Sequence, residues 1–214
     1  LVMTHSDDKG LVLPPRVAPI QIVIIPITLK KNPEASTHVL EKANELFKDL
    51  KAQGIRVELD DRDEYSPGFK YGHWELKGVP LRLEIGPRDL ENDSCIIATR
   101  TGGKETVALK DLGAHVQSQL HGMQKELLDT ARTRMEERKA EVKTYEEFKQ
   151  ATMHESKYVI VPHCGEAACE ETIKTETGGV TTRCRPYAED NASGMQCIKC
   201  EQEAAYKIIF SRNY

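Results

Sequence analysis

Two pairs of closely spaced cysteines are the residues of this sequence best suited to binding a metal ion. Four residues separate Cys164 from Cys169, two separate Cys197 from Cys200, and 27 residues (170–196) lie between the pairs. Zinc is bound tetrahedrally by thiolates, and two short chelating pairs let one ion close a loop with little core of its own. Four sulfur ligands leave no open position for water, so this pattern predicts a structural site, not a catalytic one.

Free thiols are the alternative interpretation of these cysteines, because unpaired cysteines are often buried as small hydrophobes. We adopt it for Cys95 and Cys184, neither of which has a cysteine partner at chelating distance in the sequence. His163 adjoins Cys164 and is an alternative ligand. Clustered cysteines in a cytosolic protein indicate metal more readily than disulfides, which favours zinc for the two pairs.

The densest polar segment, residues 60–89, holds the candidates for base recognition. Acids and bases are interleaved there beside Phe69, Tyr71 and Trp74. Unpaired RNA bases are recognised by stacking and by hydrogen bonds to their edges. Guanine offers donors at N1 and N2 to a carboxylate and acceptors at O6 and N7 to arginine or lysine. Composition alone favours a surface of salt bridges instead. Trp74 is favoured as a core residue, because it sits one residue before Glu75 on a predicted helix.

The elements that must position these residues begin with an α/β unit over residues 14–112. An unbroken apolar stretch at 20–27 predicts a strand buried on both faces. Apolar residues at three- and four-residue intervals predict a helix over 33–53 that stops at Gly54, and 55–59 predicts a second strand. A helix from Ser66 to Gly78 follows, with serine as cap and proline in its first turn. Further strands are predicted over 81–85, 94–100 and 104–109, the last two as a hairpin.

A long charged helix is predicted over residues 113–142, and it is expected to bridge two domains. A smaller unit follows, with a helix over 144–152, strands over 158–161 and 205–210, and the cysteine pairs. The predicted fold class is therefore α/β: a mixed sheet flanked by helices, joined by a long helix to a small α/β zinc-binding domain. Pro14-Pro15 marks a further boundary near the N-terminus.

Composition excludes some function classes. The formal net charge of −4 over 214 residues argues against nucleic-acid binding through a diffuse basic surface, so any such contact must be local and specific. No apolar run approaches the ~20 residues of a membrane span, and the opening residues do not form a signal peptide. The first residue is Leu1, and we expect the chain to be a fragment of a longer protein.

Three segments of the sequence carry a family resemblance: HSDDKGLVLPPRVAP at 5–19, YSPGFKYGHWELKGVPLRLEIGPRD at 65–89, and the two cysteine pairs. Together they resemble the C-terminal part of a prolyl-tRNA synthetase of the archaeal/eukaryote-like type, a class IIa enzyme. The resemblance covers essentially the whole chain. It implies the tail of a class II catalytic domain over 1–15, an anticodon-binding domain over 16–115, a connecting helix over 116–143 and a C-terminal zinc-binding domain over 144–214.

The resemblance also implies site residues. Anticodon-contacting residues are expected at Glu75, Arg82, Asp89 and Lys104, and the zinc thiolates at Cys164, Cys169, Cys197 and Cys200. Proline anticodons share two guanines, so two carboxylates and two cations suit the donors and acceptors of that base. Cys184 is not carried over as a ligand, and no catalytic residue is expected in this fragment.

The activity implied for the intact enzyme is that of a proline–tRNA ligase. Such an enzyme activates proline with ATP and Mg²⁺ and esterifies the 3′ end of its tRNA, while this stretch supplies anticodon recognition and a structural zinc domain. Its partners would be the tRNA for proline, with proline and ATP, in a cytoplasmic homodimer away from membranes. The role of Tyr214 and the oligomeric state of this piece are left open.

Three alternatives stay open at this level. One is the C-terminal region of a threonyl-, glycyl- or histidyl-tRNA synthetase, although the zinc domain is not expected there. Another is a non-catalytic tRNA- or RNA-binding accessory protein that retains a class IIa anticodon-binding domain. The third is a zinc-stabilised interaction module with no RNA role.

Overall fold

The chain forms two compact units, Leu1–Ala131 and Arg132–Tyr214, each with a sheet and a hydrophobic core. This computed structural model describes residues 1–29, 32–187 and 189–212. Tyr214, whose role the sequence leaves open, lies outside the described residues. No helix within those ranges is both long enough and apolar enough to cross a membrane.

A five-stranded mixed sheet forms the first unit. Its strands are β1 (Ile22–Pro26), β2 (Val57–Leu59), β3 (Leu81–Ile85), β4 (Ser94–Thr99) and β5 (Lys104–Ala108), in the order β2-β1-β3-β4-β5. β1 pairs in parallel with β2 and β3, whereas β4 runs antiparallel to both β3 and β5. The mixed α/β class predicted from the sequence is confirmed, and each of these strands falls within a predicted span.

Capping residues fix the starts of the two main helices between these strands. In α2 (Pro33–Ala52), Asn32 Oδ1 accepts a hydrogen bond from the Ala35 N–H, and in α3 (Pro67–Leu76), Ser66 Oγ accepts from Phe69 N–H. Both helices carry proline in the first turn, where its missing N–H costs nothing. Three short elements complete the regular structure of the unit: α1 (Val2–His5), α4 (Pro87–Glu91) and a 3₁₀ turn, Leu109–Asp111.

Every residue of β1 is buried, because helices cover both faces of the sheet. Ile22 and Ile24 pack in a core that includes the inward positions of α2 and of α5 (Leu112–Glu137). Val23 and Ile25 pack on the other face against Trp74 and Val79. Full burial of such side chains contributes roughly 1.5–3 kcal/mol each, so α3 is held against its own face of the sheet.

The long helix ends earlier than the sequence predicts. α5 stops at Glu137, and Lys139–Glu141 forms strand β6 instead of a last helical turn. The predicted end at 142 was wrong because Ala140 and Val142 pack against the core of the second unit. An extended segment can insert these alternate residues into that core.

The second unit contains a four-stranded sheet in the order β6-β7-β9-β8. Its remaining strands are β7 (Tyr158–His163), β8 (Val180–Thr182) and β9 (Tyr206–Arg212). The predicted helix near 144–152 is α6 (Tyr145–Lys149), continued by a π-helical turn, Gln150–His154. The structure adds β8 and α7 (Ala167–Thr177), neither of which the sequence indicated.

Candidate nucleic-acid interface and metal centre

A cleft of about 420 Å³ opens on the α3 face of the first sheet. Three of the four residues predicted to contact bases line it: Glu75 from α3, Arg82 from β3 and Lys104 from β5. The cleft therefore brings together one carboxylate and two cations that are far apart in sequence.

The register of four strands places both cations in one row across the sheet. Val23 on β1 pairs with Arg82, Arg82 pairs with Ala98 on β4, and Ala98 pairs with Lys104. Paired residues in neighbouring strands point to the same face. Arg82 and Lys104 consequently flank a small alanine, and the short side chain between two long ones leaves the floor of the cleft open.

A buried carboxylate that the sequence analysis missed holds the two cations. Glu84 accepts a hydrogen bond from Arg82 Nε at 3.1 Å and another from Lys104 Nζ at 2.8 Å. Burial raises the pKa of Glu84, but the hydrogen bonds from Lys104 and Arg82 outweigh it, so this pKa lies below its usual range. The carboxylate stays ionised at neutral pH and cancels part of the positive charge.

Tyr71 lies under the guanidinium of Arg82, whose Cζ is 4.2 Å from the ring centroid. Burial raises the pKa of the Tyr71 hydroxyl, and the neighbouring Glu84 raises it further. The ring is thus a neutral face against which the cation packs. A guanidinium that lies over an aromatic ring can still use its N–H groups for hydrogen bonding.

Glu75 stands at the rim of the cleft, with its side chain 33% exposed and Lys9 Nζ 3.6 Å from its Oε1. An ion pair this exposed contributes little to stability, typically 0–1 kcal/mol. A ligand that offers N–H donors can therefore displace Lys9 at small cost.

Asp89, the fourth predicted residue, is not among the residues that line the described cleft. Its Oδ2 accepts the Gly86 N–H at 2.8 Å and so closes the first turn of α4. The carboxylate therefore has a structural role that the sequence did not indicate.

The aromatic residues of this segment take different roles. Trp74 is buried, as its sequence context favours, and donates from Nε1 to Asp60 Oδ2 at 2.7 Å while one side lines the cleft. Phe69 stacks on Tyr65 at 4.4 Å between ring centroids, and neither lines the cleft. Among the described aromatic residues, Tyr71 and Trp74 are therefore the two that contribute surface to the cleft.

Arg100, a further cleft residue, ties the N-terminal segment to the sheet. Its guanidinium binds the Asp7 carboxylate through two hydrogen bonds and also donates to the carbonyls of Gly10, Leu11 and Glu75. The hydrogen bond from Arg100 is the main reason why the pKa of Asp7 falls to about 2. The segment thus packs against the end of α3, directly beside Glu75.

Close backbone contact along this segment requires glycine at two positions. Leu11 N–H donates to the Leu76 carbonyl at 3.0 Å, and a Cβ on Gly10 would lie 2.6 Å from Leu76 Cα. Gly78 faces the same problem from the other side, since its Cβ would lie 2.6 Å from the Leu11 carbonyl oxygen. Both glycines also have positive φ, at +131° and +73°, which other residues rarely adopt.

In the second unit, the cysteine pairs meet at one end of the sheet. Ligand atoms of Cys164, Cys169, Cys197 and His163 all lie within 4.8 Å of one another. Cys164 follows β7, Cys169 lies in the first turns of α7, and Cys197 belongs to the loop before β9. The Sγ atoms of Cys169 and Cys197 are 3.8 Å apart.

Cys200 is exposed and lies at the edge of this cluster, close enough to Cys164 and Cys197 to affect the pKa of both thiols. It also lines a pocket with Cys164 and Cys169. All four predicted thiols are therefore neighbours, although Cys200 is outside the tighter group of ligand atoms that contains His163.

Backbone N–H groups point at the sulfur atoms. Burial raises the pKa of Cys197, but N–H donors from Cys200, Lys199 and Cys164 lower it to about 7. The Glu166 N–H acts on Cys164 in the same direction, although burial outweighs it and raises the pKa of that thiol above its ordinary value. N–H donors directed at sulfur favour the thiolate, the form that binds metal, so the donor set suits a soft divalent ion such as zinc.

His163 has two different ring nitrogens. Nδ1 accepts the Gly165 N–H at 3.0 Å, whereas the buried Nε2 finds no hydrogen-bond partner among the described residues. Cys95 is buried in the core of the first unit, and the exposed Cys184 is not part of the cluster. The expectation that these two cysteines stand apart from the thiol pairs agrees with their placement.

Comparison with known proteins matches both units. The family described as "Anticodon binding domain" matches residues 21–119, and the family "Prolyl-tRNA synthetase, C-terminal" matches residues 145–214.

Curated relatives align over the whole of this chain. It is 40% identical to "Proline--tRNA ligase 2" of Clostridioides difficile and 44% identical to "Proline--tRNA ligase" of Alkaliphilus oremlandii, covering 43% of each. It is 40% identical to "Proline--tRNA ligase, cytoplasmic" of Arabidopsis thaliana, of which it covers 41%. The chain therefore spans less than half the length of these relatives.

Proposed function

Since the chain belongs to the prolyl-tRNA synthetase family and corresponds to its anticodon-binding and C-terminal domains, we propose that it recognises the anticodon of proline tRNA. The observation that carries this proposal is the cleft in which Arg82, Lys104 and Glu75 converge. Two cations and a carboxylate around one opening match the hydrogen-bonding groups of guanine.

Each residue is assigned by its chemistry. Arg82 and Lys104 would donate to the O6 and N7 acceptors of guanine, and Glu75 would accept from N1 and N2. Asp89 is proposed as a second carboxylate for the other guanine, from its place beside the cleft strand β3. Bases that are splayed out of the anticodon loop can present these edges, whereas bases within a duplex cannot.

The second proposal is a structural zinc ion held by Cys164, Cys169, Cys197 and Cys200. Supporting it are the closeness of the Cys164, Cys169 and Cys197 sulfur atoms, the pocket that Cys200 shares with Cys164 and Cys169, and the N–H donors aimed at Cys164 and Cys197. Bound there, zinc would fasten the end of β7 and the start of α7 to the loop of residues 195–203. A site with four thiolates supplies no open position for chemistry.

For the intact enzyme we propose proline–tRNA ligase activity, with ATP and Mg²⁺ used to activate proline before transfer to tRNA. This chain would supply anticodon recognition and the zinc domain. The residues that carry out the reaction would lie in the remainder of the full-length enzyme, which this chain does not cover. We further propose that the intact enzyme is a cytoplasmic homodimer. The proposed domains are the catalytic tail over 1–15, the anticodon-binding domain over 16–115, the connecting segment over 116–143 and the zinc-binding domain over 144–214. Within the connecting segment, β6 is a strand and not part of the helix.

The test is binding of this chain to the anticodon stem-loop of proline tRNA and to a loop whose two guanines are replaced by adenine. We expect tighter binding to the native loop, and a loss of roughly tenfold or more with Arg82→Ala or Lys104→Ala, since a bidentate base contact contributes ~1–3 kcal/mol. Lys48→Ala is the matched control, because Lys48 is an exposed lysine on α2, across the sheet from the cleft.

Two results would count against the anticodon proposal. One is equal affinity for the native and adenine loops, which would leave only phosphate contacts. The other is a loss of affinity in Lys48→Ala as large as that in Lys104→Ala. Binding would then depend on the amount of positive charge and not on its position in the cleft. Steep weakening with added salt would accompany both results.

A further inference from the structure

Glu84 is a charged residue in an apolar place. It is 2% exposed, and its neighbours in adjacent strands are Ile25 on β1 and Ile96 on β4. Burying a carboxylate is costly unless it is paired and hydrogen-bonded. The hydrogen-bond partners of Glu84 therefore indicate why a carboxylate is buried here.

Each oxygen of Glu84 holds a different cation. Oε1 accepts from Arg82 Nε at 3.1 Å, and Oε2 accepts from Lys104 Nζ at 2.8 Å. The bond from Arg82 uses Nε, and the guanidinium has four further N–H donors on its terminal nitrogens. Lys104 has three donors on Nζ, of which Glu84 accepts one and two remain. One carboxylate thus sets the spacing of two cations without using all of their donors.

The guanidinium is also held from a second side. Its Cζ lies 4.2 Å from the ring centroid of Tyr71, while Glu84 accepts from its Nε. Lys104 by contrast is more than half exposed, at 54% of its side chain, and its Nζ is paired with Glu84. Without Glu84 this flexible side chain would sample many rotamers, and ordering it on binding would cost free energy.

We propose that Glu84 is a positioning residue that presents Arg82 and Lys104 to the O6/N7 edge of guanine and so determines specificity at that edge. This inference rests on the proposed anticodon recognition and deepens it. Glu84 contacts no base in the proposal. Its effect is confined to one edge of the base, and this restriction separates it from a general structural role.

Base analogues separate the two edges of guanine. In the proline stem-loop, 7-deazaguanosine at each guanine position in turn removes N7, and inosine removes the N2 amino group. We expect the wild-type chain to lose roughly tenfold in affinity with each analogue at a contacted position. In Glu84→Gln, which keeps the side-chain size but turns one acceptor into a donor, the loss with 7-deazaguanosine should fall below about threefold. The loss with inosine should stay near tenfold.

Two controls keep a loss of folding apart from a loss of positioning. Glu105→Gln changes a carboxylate on β5 that pairs with His115 at 2.9 Å and lies on the opposite face, and it should leave both discrimination ratios unchanged. Glu84→Asp retains the charge on a shorter side chain and should restore part of the 7-deazaguanosine discrimination. A preserved inosine ratio in Glu84→Gln shows in addition that the rest of the cleft is intact.

Either of two results overturns the inference: unchanged ratios in Glu84→Gln, or an equal fall in the 7-deazaguanosine and inosine ratios. The first means that the cations are positioned without Glu84, and the second means that it only stabilises the unit. If the wild-type chain itself shows no preference for guanine, the proposed function fails first, and the two failures are distinguishable.

Discussion

Arg100 and Asp7, 93 residues apart in sequence, form an ion pair with two parallel hydrogen bonds, Nη1 to Oδ2 at 2.9 Å and Nη2 to Oδ1 at 2.5 Å. The arginine side chain is 2% exposed and the carboxylate 48%. Because the same guanidinium lines the cleft, this pair joins the N-terminal segment to the wall of the proposed anticodon site.

This pair predicts a pH-dependent stability. The pKa of Asp7 falls from 3.8 to about 2 on folding, so its contribution is complete above pH 3.8 and is lost as the pH falls through about 2. Asp7→Asn should therefore unfold at lower denaturant concentration than wild type at pH 6, with the difference vanishing near pH 2. Asp8→Asn, a change at the exposed neighbour, is the control. Identical denaturation midpoints for the two variants at pH 6 would contradict the prediction.

Two glycine substitutions should change stability in opposite directions. Gly10→Ala places a Cβ 2.6 Å from Leu76 Cα at a φ of +131°, and should lower the free energy of unfolding by at least about 2 kcal/mol. Gly72→Ala, inside α3 with open space around its Cβ, should raise it by up to about 1 kcal/mol. Chemical denaturation measures both effects. A stabilised Gly10→Ala would show that the N-terminal segment does not pack on α3 in solution.

Two variants of Asp89 separate its cap from its proposed base contact. Asp89→Asn keeps an oxygen for the Gly86 N–H but loses the charge, whereas Asp89→Ala loses both. We expect Asp89→Ala to cost about 1 kcal/mol of stability through the cap, with little change in Asp89→Asn. Both variants should bind the stem-loop more weakly, since an amide cannot accept from N1 and N2 together. If Asp89→Asn binds the stem-loop as tightly as the wild-type chain, Asp89 only caps α4 and does not contact a base.

Metal removal should affect the second unit alone. We expect one zinc per chain. A chelator should lower the thermal stability of residues 132–214, because an ion that binds the folded unit and not the unfolded chain stabilises the fold. Cys197→Ser should abolish stoichiometric zinc, while Cys184→Ser should retain it. The cobalt-substituted protein tests the ligand set: its absorption spectrum should change with Cys200→Ser and persist with His163→Gln. The reverse pattern would make His163 the fourth ligand.

Most of the first unit could be predicted because its pattern is regular. The apolar run at β1 and the spacing in α2 specify their elements, and serine or asparagine followed by proline marks two helix starts. The end of α5 could not be predicted, since residues 123–143 contain no glycine or proline that would stop a helix. Packing of Ala140 and Val142 in the second core decides it instead.

The missed helix α7 buries only one residue per turn: Cys169, Ile173 and Thr177. Such a narrow stripe, with a cysteine and a threonine in it, gives almost no hydrophobic periodicity. Because the cysteine spacing predicts Cys169 as a metal ligand, Ile173 is the single strongly apolar position in this stripe.

For the candidate site, sequence and resemblance supplied the residues but not their arrangement. Arg82 and Glu84 alternate with apolar residues on β3, a pattern equally compatible with a surface ion pair. That Glu84 is buried, and that Lys104 shares it, depends on how the β4–β5 hairpin pairs with β3. Hairpin register and helix coverage are tertiary properties, and a one-residue slip would send Lys104 to the other face.

The position of β5 at the edge of the sheet gives Lys104 a second role. β5 is one of the two edge strands of the described first sheet, with β2 at the other edge, and Lys104 and Glu105 place opposite charges along it. An outer strand has unpaired N–H and C=O groups that can template aggregation, and charged side chains, lysine above all, discourage another chain from docking there. A substitution that removes this cation is therefore expected to make the protein less soluble as well as less selective, and in a growing cell the first effect can conceal the second.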